Sequence, residues 1–198
     1  MCRFIETIKV ADGEIINFER HEQRVMITAE HFWNKRLHID RERLETLAKA
    51  SEGISKLRFI YDRNGVRDIT CTPYRMRRIS KLVLADGKGI DYSFKYEDRG
   101  MFRGIRGNAA EDREVLIVKD GMITDTTYTN VAFYDGRRWV TPRKPLLSGT
   151  KRALLLDKGL VTEGDIAASD IGKYQNIAFF NAMIELGEAV LPISAITT

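Results

Sequence analysis

Lys95 stands in Phe94-Lys95-Tyr96-Glu97-Asp98-Arg99, at an expected strand-to-helix junction with a second cation four residues on. A lysine amine forms a Schiff base only when burial or a neighbouring cation lowers its pKa. Arg99 is a candidate for that cation, or for the partner of a substrate carboxylate. Left in water, Lys95 is an ordinary surface lysine. Asp125 lies in the hydroxyl-rich run Thr124-Asp125-Thr126-Thr127-Tyr128-Thr129-Asn130. An acid there can pair with a protonated ring nitrogen and turn the ring into an electron sink, or it can close an Asx turn. Ser148-Gly149-Thr150-Lys151-Arg152 opens a helix, and the free N–H groups of a helix start suit a phosphate. Gly149 lets the backbone approach closely and Thr150 adds a hydroxyl; the plainer reading is a Ser148 N-cap. Arg24, in His21-Glu22-Gln23-Arg24, can grip a phosphate with its fork or lie on the surface. His21, His31 and His38 are too scattered for a zinc triad. The basic run Tyr74 to Lys81 holds one aromatic residue and no nucleic-acid motif, and reads as a charged strand edge.

These residues need elements to carry them. Phe4 to Val10 reads as a strand, with Asp12-Gly13 as a hairpin turn into Glu14 to Asn17. Val25, Met26, Ala29, Phe32 and Trp33 recur at helical spacing and predict a helix from about Glu19 to Leu37. Asp40 can cap a second helix to about Ala50. Strands are expected at Lys56 to Asp62, then, after a turn at Arg63-Asn64-Gly65, on a return through Cys71, and at Lys81 to Ala85. Glu97 to Ala110 reads as helix plus loop. Hairpins are expected about Asp120-Gly121 and Asp135-Gly136, a helix capped by Ser148-Gly149-Thr150 and running to about Lys158, and a buried strand at Asn176 to Asn181. The pattern is α+β, with a small α/β domain over residues 1–88 and a larger one over 89–198.

Composition narrows the class. The formal net charge of +4 suits anionic small molecules as readily as nucleic acid. No apolar run approaches the roughly 18 residues of a membrane helix, and Glu6 sits where a signal peptide would be apolar. Two cysteines, Cys2 and Cys71, offer no disulfide framework and no metal pattern. The expectation is a reduced, cytoplasmic protein with no metal, membrane or nucleic-acid partner.

Taken in chain order, His21-x-x-Arg24, Lys95 with Arg99, the Asp125 to Asn130 turn, Ser148-Gly149-Thr150-Lys151-Arg152 and Phe179-Phe180-Asn181-Ala182-Met183 resemble the class IV aminotransferase family. That family includes branched-chain and D-amino-acid aminotransferases and 4-amino-4-deoxychorismate lyase. The resemblance implies the two-domain D-amino-acid-aminotransferase-like fold, here with an N-terminally truncated small domain, a homodimer, and pyridoxal 5′-phosphate (PLP) as cofactor. It implies the following roles. Lys95 forms the Schiff base, and Asp125 holds the pyridine nitrogen where the family usually has Glu. Gly149, Thr150 and Arg24 meet the phosphate, and Asn181 and Ala182 form a loop over phosphate and substrate. Lys9 and Arg99 face the substrate, an amino acid or an aminodeoxychorismate-like molecule. Asn181-Ala182-Met183 and the Lys95–Arg99 spacing resemble the lyases more than the transaminases. A non-catalytic PLP-binding member is the other reading the Asp125 exchange leaves open.

Overall fold

The computed structural model describes residues 2–107 and 110–197. The chain divides into two compact units, Met1–Met76 with Phe94–Asp98, and Arg77–Ser93 with Arg99–Thr198. The division differs from a single boundary after residue 88, because the Lys95 segment returns to the first unit. A short segment that pairs with a strand some ninety positions earlier leaves no periodic trace in the sequence.

The first unit is a four-stranded sheet with two helices. Its elements are β1 (Phe4–Ala11), β2 (Glu14–Ile15), α1 (Phe18–Trp33), α2 (Arg41–Lys49), β3 (Ile54–Asp62) and β4 (Gly65–Pro73), and the strand order is β2-β1-β3-β4. Asp12 and Gly13 both take positive φ, 48° and 84°, as a tight two-residue hairpin turn requires. Phe4, Ile8 and Val10 of β1 and Leu57 and Phe59 of β3 bury against Val25 and Ala29 of α1 and Leu44 and Ala48 of α2. The first helix stops at Trp33, four residues before the expected end. Asn34 takes the left-handed conformation, φ 50°, and donates its N–H to Glu30 O. Leu37 is buried beyond the helix, so its apolar character belongs to the connecting segment. Asp40 caps α2 as expected, accepting from Arg43 N–H at 3.0 Å.

The second unit holds two sheets. One, in the order β13-β5-β6-β7, combines β5 (Lys81–Asp86), β6 (Arg113–Lys119), β7 (Met122–Thr126) and β13 (Ile196–Thr197). The other, in the order β10-β9-β8-β11-β12, combines β8 (Asn130–Tyr134), β9 (Trp139–Pro142), β10 (Thr162–Gly164), β11 (Asn176–Asn181) and β12 (Ile184–Pro192). Leu82, Leu116 and Ile123 of the first sheet and Val131, Phe133, Ile177 and Phe179 of the second form one apolar core. Strand alternation turns Ala132 and Phe180 to the far face, where they meet Leu155 of α4 (Thr150–Asp157). α3 (Gly100–Arg106) is shorter than the helix expected between Glu97 and Ala110, and residues 108 and 109 of that expectation lie outside the described residues. Tyr74 to Ser80 is irregular rather than a strand edge. No described helix is long and apolar enough to cross a membrane.

Candidate active site

In the first unit β1 sets the geometry. Its alternation turns Phe4, Glu6, Ile8 and Val10 inward and leaves Ile5, Thr7 and Lys9 on the opposite face. From α1, His21 Nδ1 lies 2.6 Å from Glu6 Oε2. Arg24 forks onto both carboxylate oxygens, Nε to Oε1 at 2.8 Å and Nη2 to Oε2 at 2.6 Å. Burial pushes the Glu6 carboxyl up, but Arg24 and His21 outweigh it and hold it at about 2. Burial pushes the His21 ring down, opposed by its bond to Glu6 and assisted by the Arg24 and Lys95 cations. A neutral His21 beside a carboxylate must carry its hydrogen on Nδ1 and donate it.

Lys95 enters this neighbourhood through backbone pairing. β2 covers β1 only at Val10 and Ala11, which leaves the Phe4 end open on that edge. There Ile5 N–H donates to Lys95 O at 3.0 Å, Glu97 N–H donates to Arg3 O at 2.9 Å, and Tyr96 bridges to Phe4. The unit therefore groups Lys95 with His21 and Arg24, while Lys9 points from the other face of the same strand.

In the second unit Asp125 ends a buried strand and both its oxygens are engaged. Asn130 Nδ2 donates to Oδ1 at 2.8 Å and Leu147 N–H donates to Oδ2 at 2.9 Å. Burial pushes the carboxyl up to about 6, against the pull of these donors. Asn130 Nδ2 also donates to Leu147 O at 2.9 Å, so acid, amide and the 147–149 backbone interlock. This explains Gly149: a Cβ there would fall 2.1 Å from Asn130 Oδ1. Gly149, not Ser148, occupies the N-cap of α4, without a side-chain cap bond, and Thr150 is buried at its first turn.

The turn after Asp125 is clamped from several sides. Thr126 and Thr129 hydroxyls meet at 2.7 Å. Glu114, fully buried, accepts from Thr127 Oγ1 at 2.8 Å, from Val115 N–H at 3.0 Å and from Arg77 Nη2 at 2.5 Å. The Arg77 guanidinium lies over the Tyr128 ring, 5.1 Å from its centroid. Arg99 donates to Thr127 O and lies over Phe102. Asn181 Nδ2 donates to Tyr128 O at 3.1 Å, while its Oδ1 accepts from Met183 N–H and Ile184 N–H, which folds the turn containing Ala182. Sequence reasoning passed over Glu6, Asn130 and Glu114. The available signal was a carboxylate at an inward position of an apolar strand, twice.

Residues 3–196 match the family model of amino-transferase class IV. The chain belongs to the class IV aminotransferases. A crystal structure from Haemophilus somnus 129PT, provisionally named a 4-amino-4-deoxychorismate lyase, is 29% identical with a TM-score of 0.85 and covers 94% of this chain and 98% of its own. A protein of Schizosaccharomyces pombe, provisionally named an aminodeoxychorismate lyase, is 25% identical over 204 residues, 92% of this chain and 87% of its own. A crystal structure from Mesorhizobium loti, provisionally named an amino-acid aminotransferase, is 25% identical with a TM-score of 0.76, covering 94% and 97%. Class IV aminotransferases use PLP. The residues present fit that group: a buried carboxyl held near 6 suits a pyridinium. The start of α4, with Thr150 in its first turn, offers backbone N–H groups to a phosphate.

Proposed function

We propose that this class IV aminotransferase is a PLP-dependent lyase for an aminodeoxychorismate-like substrate, with Lys95 as its Schiff-base lysine. The observation that carries the reading is Asp125, a fully buried carboxyl at about 6 that accepts from Asn130 and the Leu147 backbone in a chain of this family. In water such an acid has no reason to be buried; against a protonated ring nitrogen it gains a charge partner. Gly149 and Thr150 at the start of α4, and Arg24, are assigned to the phosphate. Asn181 and Ala182 are assigned to the loop beside phosphate and substrate, and Lys9 and Arg99 to substrate anions. The lyase likeness of the relatives from H. somnus and S. pombe agrees with Asn181-Ala182-Met183 in supporting the substrate class.

The chemistry asked of the protein is limited. Bound PLP supplies the sink for the electron pair left at the substrate α-carbon. Asp125 keeps a proton at the ring nitrogen by remaining the anion opposite it. With PLP held there, Lys95 Nζ would be placed to take the α-proton of the substrate as general base. The anionic groups of the substrate are oriented by lysine and arginine side chains. The lyase outcome is loss of pyruvate with formation of 4-aminobenzoate. The M. loti relative favours a second reading, transamination of an amino acid, which shares the early proton transfer. Incubating the PLP-loaded protein with aminodeoxychorismate and following 4-aminobenzoate by fluorescence tests the first. Keto acid formed from a panel of amino acids, with no 4-aminobenzoate, replaces it with the second.

A further inference from the structure

Glu6 sits where the strand pattern calls for an aliphatic side chain. Its neighbours on the inward face of β1, Phe4 and Ile8, are fully buried, and so is Glu6 itself. Burying a carboxylate costs several kcal/mol, and an ion pair in a core is often no more stabilising than well-packed apolar residues. The slot is therefore poorly explained by stability alone. What the carboxylate does is geometric. It accepts from Arg24 through two parallel N–H bonds, which fix the plane of the guanidinium, and from His21 Nδ1, which fixes the carboxylate in turn. The preceding residue, Ile5, holds the Lys95 backbone at 3.0 Å. One dipeptide step of β1 thus anchors both the lysine segment and the arginine.

We propose that Glu6 is a positioning residue, fixing the Arg24 guanidinium for the 5′-phosphate of PLP. The inference rests on the reading above that Arg24 meets that phosphate. An untethered arginine samples many rotamers, and holding it in one orientation leaves less freedom to lose when the anion binds. His21, kept neutral, contributes a hydrogen bond without a second cation, so Arg24 is the charge that balances Glu6.

The test compares binding of PLP with binding of pyridoxal, which lacks the phosphate. Dissociation constants are read from absorbance and intrinsic fluorescence for wild type, Glu6→Gln and the double variant Glu6→Gln/Arg24→Gln. The double variant carries neither member of the buried ion pair. The expected result is that Glu6→Gln reduces the preference for PLP over pyridoxal about tenfold or more, the scale of a charge-assisted hydrogen bond. Pyridoxal affinity stays within about threefold of wild type, and the double variant falls little further. A structural role alone would weaken both ligands alike. Where Glu6→Gln keeps the wild-type preference and the double variant loses it, the Glu6 inference falls and the Arg24 reading stands. Where the double variant keeps the preference, the Arg24 reading falls and takes the inference with it. Should Glu6→Gln fail to fold, Glu6→Asp retains the charge and withdraws the acceptors by one methylene. It too is expected to lose PLP preference at constant pyridoxal affinity, and an unchanged preference overturns the proposal.

Discussion

Asp125 gives the cofactor-free protein a pH dependence of unusual sign. Its carboxyl moves from an ordinary 3.8 to about 6 on folding, because burial outweighs the donors from Asn130 and Leu147. Between these values the folded chain holds a proton that the unfolded chain has released, so unfolding free energy falls as pH rises. At about 1.36 kcal/mol per pH unit, a rise from 3.8 to about 6 amounts to about 3 kcal/mol in total, an upper bound. Of this, about 2 kcal/mol is lost between pH 4.5 and 7.5. Glu6 lies outside that window: its lowered carboxyl stabilises above about 4.5, and the contribution is lost progressively as pH falls from there to about 2. Asp125→Asn does not titrate. The amide forfeits an acceptor bond, but that cost is independent of pH and cancels in the slope. Urea unfolding of apo wild type and apo Asp125→Asn at four pH values, with equal m-values as a control, is expected to show the difference in unfolding free energy shifting by about 2 kcal/mol in favour of the variant as pH rises from 4.5 to 7.5. Saturating PLP flattens the wild-type slope, since an opposed pyridinium lowers the Asp125 pKa. Parallel curves for the two apo proteins would mean that Asp125 does not titrate in this range on folding.

Gly149→Ala, whose Cβ would meet Asn130 Oδ1 at 2.1 Å, pushes Asn130 off Asp125 and destabilises by about 1–3 kcal/mol. In an Asn130→Ala background the same change costs much less, which thermal denaturation of the four proteins will show. Phe4→Ala removes a fully buried ring in contact with Phe32, Tyr61 and Tyr96 and costs about 3–5 kcal/mol by urea titration. Lys95→Ala abolishes turnover while circular dichroism stays native; activity near wild type would remove Lys95 from its role.

The hairpins were legible because their turns are chemically explicit. Asp12-Gly13 and Asp120-Gly121 supply the two positive-φ residues that a tight turn needs, and both pairs adopt them. The second helix was legible through Asp40, whose cap bond forms as expected. The end of α1 was hidden because apolar residues continue beyond it to Leu37, and only the conformation of Asn34 reveals the stop. Family membership could be read from the order of the motifs. The residues that brace them could not. In the sequence Glu6 is no more than a charge that a signal peptide would not carry, yet it is the acceptor for His21 and Arg24. Glu114 opens an ordinary-looking strand but carries Thr127 and Arg77. Such roles depend on residues far apart in sequence, where no periodicity connects them. The pairing of Lys95 with Ile5 is hidden for the same reason.

The most direct test of the central claim is reductive trapping. Purified protein loaded with PLP is treated with borohydride, digested and mapped by mass spectrometry, with the visible spectrum recorded before and after. The expected result is a yellow absorption band that reduction abolishes, and a single stoichiometric phosphopyridoxyl group on Lys95. No band, or modification spread over surface lysines with Lys95 unmodified, would contradict it.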